Sequence, residues 1–357
     1  MTDLDFGPPV PERPDRGIGL VGCGWVASMQ LAAYRAAGYN VVALTDVSSE
    51  KAEALRAAYY PEATVYPDLS DLLADDRVEV VDVATHVDVR PALVERALRA
   101  GRHVLSQKPF VNDLDEGERL CALADELGLT LAVNHNGRWA PHFSVLLAAA
   151  RSGALGQITS ADFSVHWPHD QVVRDMVAFA TMPDLVLYDF GVHWFDVLAA
   201  LMEDDPVQVF AQVGERRGQV IAAPTHAQVL VSFPHAQSSL VFRAGEPRSE
   251  RGAYRVDGTR GTALHEGASL GGSSVRIITG GDPEETVETV PTGEDWFGPG
   301  MAGTMGELLL SLDQDRAPSN SGRSALQGLS LCFAAVESAF TGRPVVPGTV
   351  RRRPEQR

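Results

Sequence analysis

The sequence predicts an α/β domain with a doubly wound, mostly parallel sheet, followed by an α+β domain with a large open, mainly antiparallel sheet. Three observations support this fold class. The chain has 357 residues, which is enough for two domains of ordinary size. Short β-rich runs alternate with helical segments from residue 17 to about residue 137. Beyond that point strands follow one another directly, punctuated by Gly, Pro and Asp.

The first domain is predicted to span residues 16–137, after a flexible arm over residues 1–15. Its strands are predicted in the runs GIGLV, NVVALTD, TVY, EVVDVAT, HVLSQ and LTLAV. The intervening helices are predicted in WVASMQLAAYRAAG, SEKAEALRAAYY, LSDLLAD, RPALVERALRAG and DLDEGERLCALADELG. Parallel neighbouring strands need crossover connections, and the connections here are helical, so the sheet is predicted to be parallel.

The second domain is predicted to span residues 138–345 and to end in a frayed basic tail, residues 346–357. Its strands are predicted in QITSADFSVHW, VQVFAQVG, HAQVLVSF, SSLVFRA, AYRVDG, SVRIIT and TVETV. Helical stretches are predicted around 184–202 and between about 302 and 341. Strands joined by short turns predict an antiparallel sheet.

Composition and charge narrow the functional classes. Hydrophobic residues make up 45% and charged residues 22%, as in globular proteins that bury a sizeable core. The net charge of −17 would repel a polyanion, so nucleic acid is not an expected partner. No apolar run has the length of a membrane span, and the acidic, proline-rich N-terminus lacks the plan of a signal peptide. We therefore expect a cytoplasmic protein with no membrane partner.

A glycine-rich turn follows the first strand. In Gly22-Cys23-Gly24-Trp25-Val26-Ala27, the first glycine permits a tight turn, the second lets the backbone approach a pyrophosphate, and Ala27 permits close helix packing. The following helix N-terminus offers N–H groups to the anion. The turn and the strand–helix context predict a dinucleotide-binding Rossmann domain whose cofactor contacts include Gly22, Gly24, Trp25, Val26 and Ala27.

Asp46 ends the second predicted strand, where it can accept hydrogen bonds from both ribose hydroxyls of an adenosine. A 2′-phosphate would meet its negative charge, so NAD is favoured over NADP. The alternative is that Asp46 only caps the next helix, which Ser48 could do as well.

Lys108 is one of two lysines in the chain, beside 28 arginines. It follows an apolar strand at the carboxyl end of the predicted parallel sheet, where ligands of such folds bind. A lysine ammonium is a compact charge suited to electrostatic work at a reacting oxygen. Pro109 restricts its backbone and could form a cis peptide bond. The alternative is a solvated lysine at a strand end.

Three ionisable residues interrupt an otherwise apolar segment, PDLVLYDFGVHWFDVLAALM. Asp189, His193 and Asp196 stand at i, i+4 and i+7, which would place them on one face of a single helix. A carboxylate one turn from an imidazole can orient it as a general base. Gly191 within the segment could admit a close approach. The alternative is a satisfied internal network of polar side chains.

The chain resembles the Gfo/Idh/MocA family of NAD(P)-dependent oxidoreductases over about residues 17–341. The resemblance is carried, in order, by GIGLVGCGWVA, the pair Thr85-His86, ALRAGRHVLSQKP and DFGVHWFD. It implies that Thr85, His86, Gln107 and Lys108 contribute to the cofactor site, and that the second domain makes a homo-dimer or homo-tetramer.

The resemblance also implies a catalytic set of Lys108, Asp189 and His193, with the histidine as proton acceptor or donor. Two departures stand out. Gln107 replaces the usual glutamate before the lysine. Relatives often read Thr-Pro with a histidine a few residues later, whereas this chain reads Thr85-His86-Val87-Asp88-Val89-Arg90.

The predicted function is NAD-dependent hydride transfer at a secondary alcohol or ketone of a sugar, inositol or related polyol. Two alternatives remain open. One is a redox-neutral, NAD-dependent cleavage of a glycoside, and the other is a non-catalytic dinucleotide-binding regulator.

Five further residues complete the predicted substrate site with Asp189 and His193, because they stand at strand ends or open the second domain. They are Asn136, Arg138, Trp139, Trp167 and His169. Aromatic faces and planar hydrogen-bonding groups suit a sugar, and Arg138 would suit a carboxylate or phosphate. The alternative is that they are ordinary loop or interface residues. The three cysteines and the pair His166 and His169 lack a convincing ligand set, so no metal is predicted.

Overall fold

The computed structural model describes residues 4–248, 250–270, 274–281, 284–293 and 295–355. The chain forms two compact units. The first unit comprises Gly7–Trp139 and Phe297–Leu326. The second contains Ala140–Trp296 and the described residues from Gln327 onward.

The secondary structure follows the predicted order. The strands are β1 (Gly17–Val21), β2 (Asn40–Thr45), β3 (Thr64–Tyr66), β4 (Val80–Val83), β5 (His103–Gln107), β6 (Leu131–Asn134), β7 (Ile158–His166), β8 (Gln208–Gly214), β9 (His226–Ser232), β10 (Gln237–Arg243), β11 (Arg251–Gly258), β12 (Gly261–Gly267), β13 (Ser274–Thr279) and β14 (Thr286–Pro291). The helices are α1 (Trp25–Ala37), α2 (Ser49–Tyr59), α3 (Leu69–Leu73), α4 (Arg90–Arg99), α5 (Leu114–Glu126), α6 (Pro141–Arg151), α7 (His169–Val173), α8 (Val177–Ala180), α9 (Val192–Leu201), α10 (Phe297–Asp313) and α11 (Gly322–Thr341). The sequence analysis missed β12 and the helices α6, α7 and α8.

The first unit is built on a six-stranded parallel sheet in the order β3-β2-β1-β4-β5-β6. The strand order reverses between β1 and β4, which is the point where open α/β sheets bind ligands at the carboxyl ends of their strands. Local signals set the helix limits. The Asp113 side chain accepts from the Asp115 N–H at the start of α5, and Gly128 follows that helix with a φ of 65°. The prediction of a doubly wound parallel domain is confirmed.

The second unit contains an eight-stranded sheet in the order β14-β13-β12-β11-β7-β10-β9-β8. Its pairings are antiparallel except that β7 and β10 run parallel. Side chains of one face are buried, among them Phe163, Phe242 and Tyr254. The helices α6 and α9 contact strands of this sheet. A mainly antiparallel α+β unit is therefore confirmed.

The segment Phe297–Leu326 differs from its predicted place in the second domain, because it packs with the first unit. The reason is the apolar face of α10, whose Met301, Met305 and Leu308 join the core around Leu31 and Tyr34. Burial of this apolar face stabilises the packing of the segment with the first unit, although the segment follows the second domain in sequence.

Both chain ends are more ordered than predicted. In the arm, the Asp313 carboxylate accepts from the backbone N–H groups of Glu12 and Arg13, at 2.7 and 3.1 Å, so these residues are fixed to the end of α10. In the tail, Arg353 forms an ion pair with the buried Asp184. Residues 1–3 of the arm and 356–357 of the tail lie outside the described residues.

The three cysteines are free and buried. Among the described helices, none is long and apolar enough to cross a membrane.

Candidate functional site

The glycine turn between β1 and α1 leaves room for an anion. Gly22 has a φ of 96°, and a Cβ there would lie 2.8 Å from the Ala84 carbonyl oxygen. A Cβ on Gly24 would meet nothing within 4 Å. Within the described chain no side chain caps α1, so its first N–H groups are available to a ligand. Ala27 is buried against the core, while Trp25 is exposed and Val26 half-buried at the helix start.

Asp46 braces this turn. Its Oδ2 accepts from the Cys23 N–H at 2.7 Å, and its Oδ1 accepts from the Ser48 N–H at 2.8 Å. The cap of α2 is Ser48, whose hydroxyl accepts from the Lys51 N–H. Asp46 is therefore not the helix cap, and its carboxylate lies beside the glycine turn. Burial, with the Asp46 charge beside it, raises the pKa of the Cys23 thiol to about 12, so this cysteine stays protonated at neutral pH.

The strand ends beside this turn present polar atoms suited to a cofactor. Thr85 Oγ1 and Gln107 Nε2 are buried and have no hydrogen-bond partner among the described residues. Gln107 Oε1 accepts from the Lys108 N–H at 2.7 Å, which fixes the amide. Lys108 is half-buried at the end of β5 and precedes a cis peptide bond to Pro109. His86 is exposed, with Nδ1 3.3 Å from an Asp88 oxygen.

These atoms fit a bound dinucleotide. A buried amide N–H and a buried hydroxyl without partners are costly unless a ligand or water satisfies them. The glycine turn, the uncapped helix and the braced Asp46 supply the complementary phosphate and ribose contacts.

A buried arginine that the sequence analysis did not select ties these loops together. Arg90 donates from its guanidinium to the carbonyl oxygens of Thr85 and Pro109. Asp82, in the middle of β4, lies close enough for the Arg90 charge to lower its pKa, yet burial dominates and raises that pKa to about 7. The Asp82 Oδ2 accepts from Gln30 and Tyr34, each at 2.8 Å. The signal in the sequence was an aspartate inside an apolar strand.

In the second unit, the predicted single helix is two different structures. Val186–Phe190 forms a π-helical turn, and α9 begins after Gly191. The Gly191 N–H donates to the Val186 carbonyl at 3.0 Å, and a Cβ on Gly191 would lie 2.8 Å from the Leu187 carbonyl oxygen. Glycine therefore permits a close approach, as predicted, but to the carbonyls of its own turn. Such π turns occur often at functional sites.

The three residues of the predicted stripe lie on two elements, Asp189 on the π turn and His193 and Asp196 on α9. Asp196 is fully buried, and the backbone of Gly328 in α11 packs against it. Asp189 and His193 remain half-buried on either side of Gly191. The prediction of one continuous helix through all three residues is wrong, because the π turn Val186–Phe190 precedes α9.

Asp189 and His193 both have ring-bearing side chains nearby. An Asp189 oxygen lies 3.9 Å from His169 Nε2, and the His169 ring stacks on Phe190 with centroids 4.7 Å apart. The His193 ring has Trp296 edge-on, 5.8 Å away. Sequence reasoning missed Trp296, which follows the last strand and carries no motif.

The remaining predicted residues are placed as follows. Trp167 is half-buried after β7, and its backbone N–H donates to the Arg243 carbonyl. Asn136 is buried and donates to the Met301 sulfur at 3.4 Å. Arg138 is buried and donates to the Ser319 carbonyl and the Ser324 hydroxyl.

Trp139 packs against Gly303, where a Cβ would lie 2.3 Å from its ring. Asn136, Arg138 and Trp139 are therefore held by the segment that begins with α10, and the Arg138 guanidinium binds protein oxygens of its own unit. This structural engagement corresponds to the alternative raised for these residues. No group of three or more His, Cys, Asp or Glu side chains suited to a metal ion occurs among the described residues.

The fold and the first unit's site define a dinucleotide-binding enzyme. Residues 16–135 match the family model described as oxidoreductase family, NAD-binding Rossmann fold, and residues 143–264 match the GFO/IDH/MocA C-terminal domain. The chain belongs to the Gfo/Idh/MocA family, and it is an NAD-binding oxidoreductase of the dehydrogenase and reductase class. The predictions of family, enzyme class and cofactor are confirmed.

Relatives of full length support the assignment. The chain is 28% identical over 336 residues to a D-apiose dehydrogenase of Paraburkholderia graminis, covering 91% of this chain and 88% of the relative. It is 26% identical over 342 residues to an inositol 2-dehydrogenase of Rhizobium meliloti, covering 92% and 98%. A crystal structure of an oxidoreductase from Agrobacterium radiobacter with NAD+, L-tartaric acid and magnesium has a TM-score of 0.81 at 24% identity, covering 93% and 98%.

Proposed function

We propose that this protein oxidises a secondary alcohol of a sugar, inositol or related polyol, with NAD as hydride acceptor. The observation that carries the proposal is the pair Asp189 and His193, both half-buried and placed on either side of the π turn's end. The names of the relatives, an apiose dehydrogenase and an inositol 2-dehydrogenase, support this substrate class.

His193 acts as the general base in this proposal. Its imidazole takes the hydroxyl proton as the alcohol carbon loses its hydride, so the alcohol becomes a ketone. NAD supplies the hydride acceptor when bound. The Lys108 ammonium stabilises the negative charge that develops on the oxygen. Both assignments rest on the family resemblance and on the residue types.

Asp189 is proposed to orient the imidazole of His193 and to accept a hydrogen bond from a neighbouring hydroxyl of the polyol. His169, 3.9 Å from the Asp189 carboxylate, and Trp167 are proposed to line the same site. Arg138 is left out, because Ser319 and Ser324 occupy its guanidinium. The active protein is proposed to be a homo-dimer or homo-tetramer, which light scattering measures.

The test is NADH formation by the purified protein with NAD and a panel of inositols, aldoses, sugar acids and glycosides. We expect NADH with one substrate class, and a loss of about a hundredfold to ten-thousandfold in kcat for His193→Ala, as for a missing general base. The matched control is His235→Ala, which removes an exposed histidine of the same unit and should leave kcat unchanged.

Sugar release is assayed in the same wells. A free sugar without NADH would replace the proposal by redox-neutral glycoside cleavage. NAD binding without either product, across the whole panel, would favour a regulator. A His193→Ala variant as active as the wild type would overturn the assignment of the base.

A further inference from the structure

Arg353, in the described part of the tail, contacts residues at and just before the π turn. Arg353 donates from Nε and from one terminal nitrogen to the two carboxylate oxygens of Asp184, at 2.8 and 2.6 Å. Its guanidinium also lies over the Tyr188 ring, 3.8 Å from the centroid. The Asp184 side chain is 2% exposed, so this bidentate ion pair is largely shielded from solvent.

One partner of Arg353, Asp184, lies two residues before the π turn, and the other, Tyr188, lies within it. The Asp184 carbonyl accepts from the N–H groups of Leu187 and Tyr188, at 3.0 and 2.8 Å. Asp184 thus begins the α-helical turn that leads into the π turn, and Tyr188 is the residue directly before Asp189. Cys332 of α11 donates from its sulfur to the Leu187 carbonyl at 3.3 Å, a third contact to the same turn.

These contacts matter because a π turn is a weak local structure. It is rare and appears mostly as a single turn within an α-helix. The packing around it must therefore select it over an ordinary α-helical turn. An α-helical register over 186–190 would rotate Asp189 relative to α9, which begins at Val192.

Removal of Arg353 would leave the Asp184 carboxylate buried without its counter-charge. A buried charge in that state is strongly unfavourable, so the segment would rearrange until water reached the carboxylate. The rearrangement would also release the cation–π contact on Tyr188. Asp189, one residue further, would lose its fixed orientation.

We propose that Arg353 is a positioning residue for Asp189: the tail holds the π turn in register through Asp184 and Tyr188, and the enzyme needs this contact for catalysis. This inference rests on the proposed function for the catalytic readout, but its structural half concerns the distance between Asp189 and His169 alone. The tail therefore acts on catalysis only through the placement of Asp189.

The experiment compares full-length wild type with Arg353→Gln, Arg353→Lys and Arg353→Ala. We expect Arg353→Gln to lower kcat about tenfold to a hundredfold, the size of effect of a misplaced catalytic group, at temperatures well below its Tm. The KM for NAD should stay within about twofold, because no atom of the first unit is changed. Arg353→Lys keeps the charge but not the bidentate geometry and should recover part of kcat.

Chemical rescue separates positioning from general destabilisation. Added guanidinium at millimolar concentration should restore kcat of Arg353→Ala by occupying the space between Asp184 and Tyr188. The matched control is Arg343→Gln, which removes an exposed arginine just beyond α11 and should behave as wild type.

A second readout needs no turnover. The side-chain NMR signal of His169, identified by its loss in His169→Gln, senses the Asp189 carboxylate 3.9 Å away. We expect it to shift in Arg353→Gln and to remain in place in Arg343→Gln. If no substrate in the panel is oxidised by wild type, the proposed function fails, and this signal alone decides whether the tail positions Asp189.

Two results would overturn the inference. One is that Arg353→Gln folds and keeps the wild-type kcat, or folds and leaves the His169 signal at its wild-type position. The other is a proportional fall of kcat and rise of the KM for NAD that guanidinium does not reverse, which would mark a structural role without positioning.

Discussion

The two units fix their candidate functional side chains by contacts of different range. In the first unit, Gln107 accepts from the next residue's N–H, and Asp46 reaches back 23 residues to the Cys23 N–H across adjacent strands. In the second unit, the turn that carries Asp189 is held by Arg353, which is 169 residues from Asp184. A site held by short-range contacts can be recognised from a short sequence motif. A site held by long-range contacts depends on how distant segments of the chain pack together.

This difference has a consequence for how each site fails. Strand ends of a parallel sheet keep their positions when one side chain changes, because the backbone ladder holds them. A π turn has no such ladder and competes with the α-helical register. Substitutions at the π turn should therefore disturb catalysis more than substitutions of similar size at the strand ends.

The largest expected effect is that of Gly191→Ala. The new Cβ would lie 2.8 Å from the Leu187 carbonyl oxygen and 2.9 Å from that of Val186, so the turn must open or change register. Because Asp189 and His193 flank this residue, we expect kcat to fall about a hundredfold, the loss that a shift of about 1 Å can cause. Steady-state kinetics at saturating NAD measure it.

The control is Gly214→Ala at the end of β8, where a Cβ meets nothing within 4 Å. It introduces the same methyl group into the same unit and should leave kcat unchanged. Wild-type kcat in a folded Gly191→Ala would show that the turn tolerates the other register, and the comparison between the units would lose its basis.

An intermediate effect is expected from Arg90→Gln. The substitution removes a buried cation that bonds the carbonyls of Thr85 and Pro109, so the two loops of the cofactor site lose their common donor. We expect the KM for NAD to rise about tenfold, equal to about 1.4 kcal/mol of binding, with a fall in Tm. Kinetics and a thermal melt measure both.

Arg102→Gln is the matched control for this prediction. Arg102 also bridges two backbone carbonyls of the first unit, those of Leu73 and Asp75, but at the amino end of β5. It should lower Tm and leave the KM for NAD unchanged. Equal changes in that KM for the two variants would reduce Arg90 to a stabilising residue.

Much of the fold and of the cofactor site could be predicted from the sequence, because their signals are local. Alternating runs predicted the first sheet. The glycine turn and Asp46 predict its ligand-binding edge, and the structure places the two side by side. The π turn could not be predicted from periodicity, since a 3.6-residue pattern assumes one helix from Asp189 to Asp196. The hydrogen bonds that Arg138 donates to Ser319 and Ser324, far along the chain, could not be predicted from the sequence either.

The charge pattern of the tail led to the wrong prediction of a frayed end for a related reason. A run of three arginines followed by proline is typical of a solvated chain end, yet one of them finds a buried carboxylate. The signal in the sequence was Asp184, an acidic residue at the start of an apolar segment. A carboxylate buried there needs a cationic partner from another part of the chain.

The smallest expected effect is that of Asp46→Asn on cofactor choice. The amide keeps the shape of the side chain, and its oxygen can still accept one of the two N–H groups of Cys23 and Ser48. It removes the negative charge that a 2′-phosphate would meet, so we expect the ratio of kcat/KM for NAD over NADP to fall about fivefold, or about 1 kcal/mol.

Asp76→Asn, an exposed acid of the same unit, controls for the change in net charge. Because the Gly22 N–H still donates to the Thr45 carbonyl at 2.9 Å and the asparagine oxygen keeps one contact, kcat with saturating NAD should hardly change, in contrast to Gly191→Ala. A collapse of kcat in Asp46→Asn would mean that the first unit's site is as fragile as the π turn, and that strand-end geometry protects less than the parallel ladder suggests.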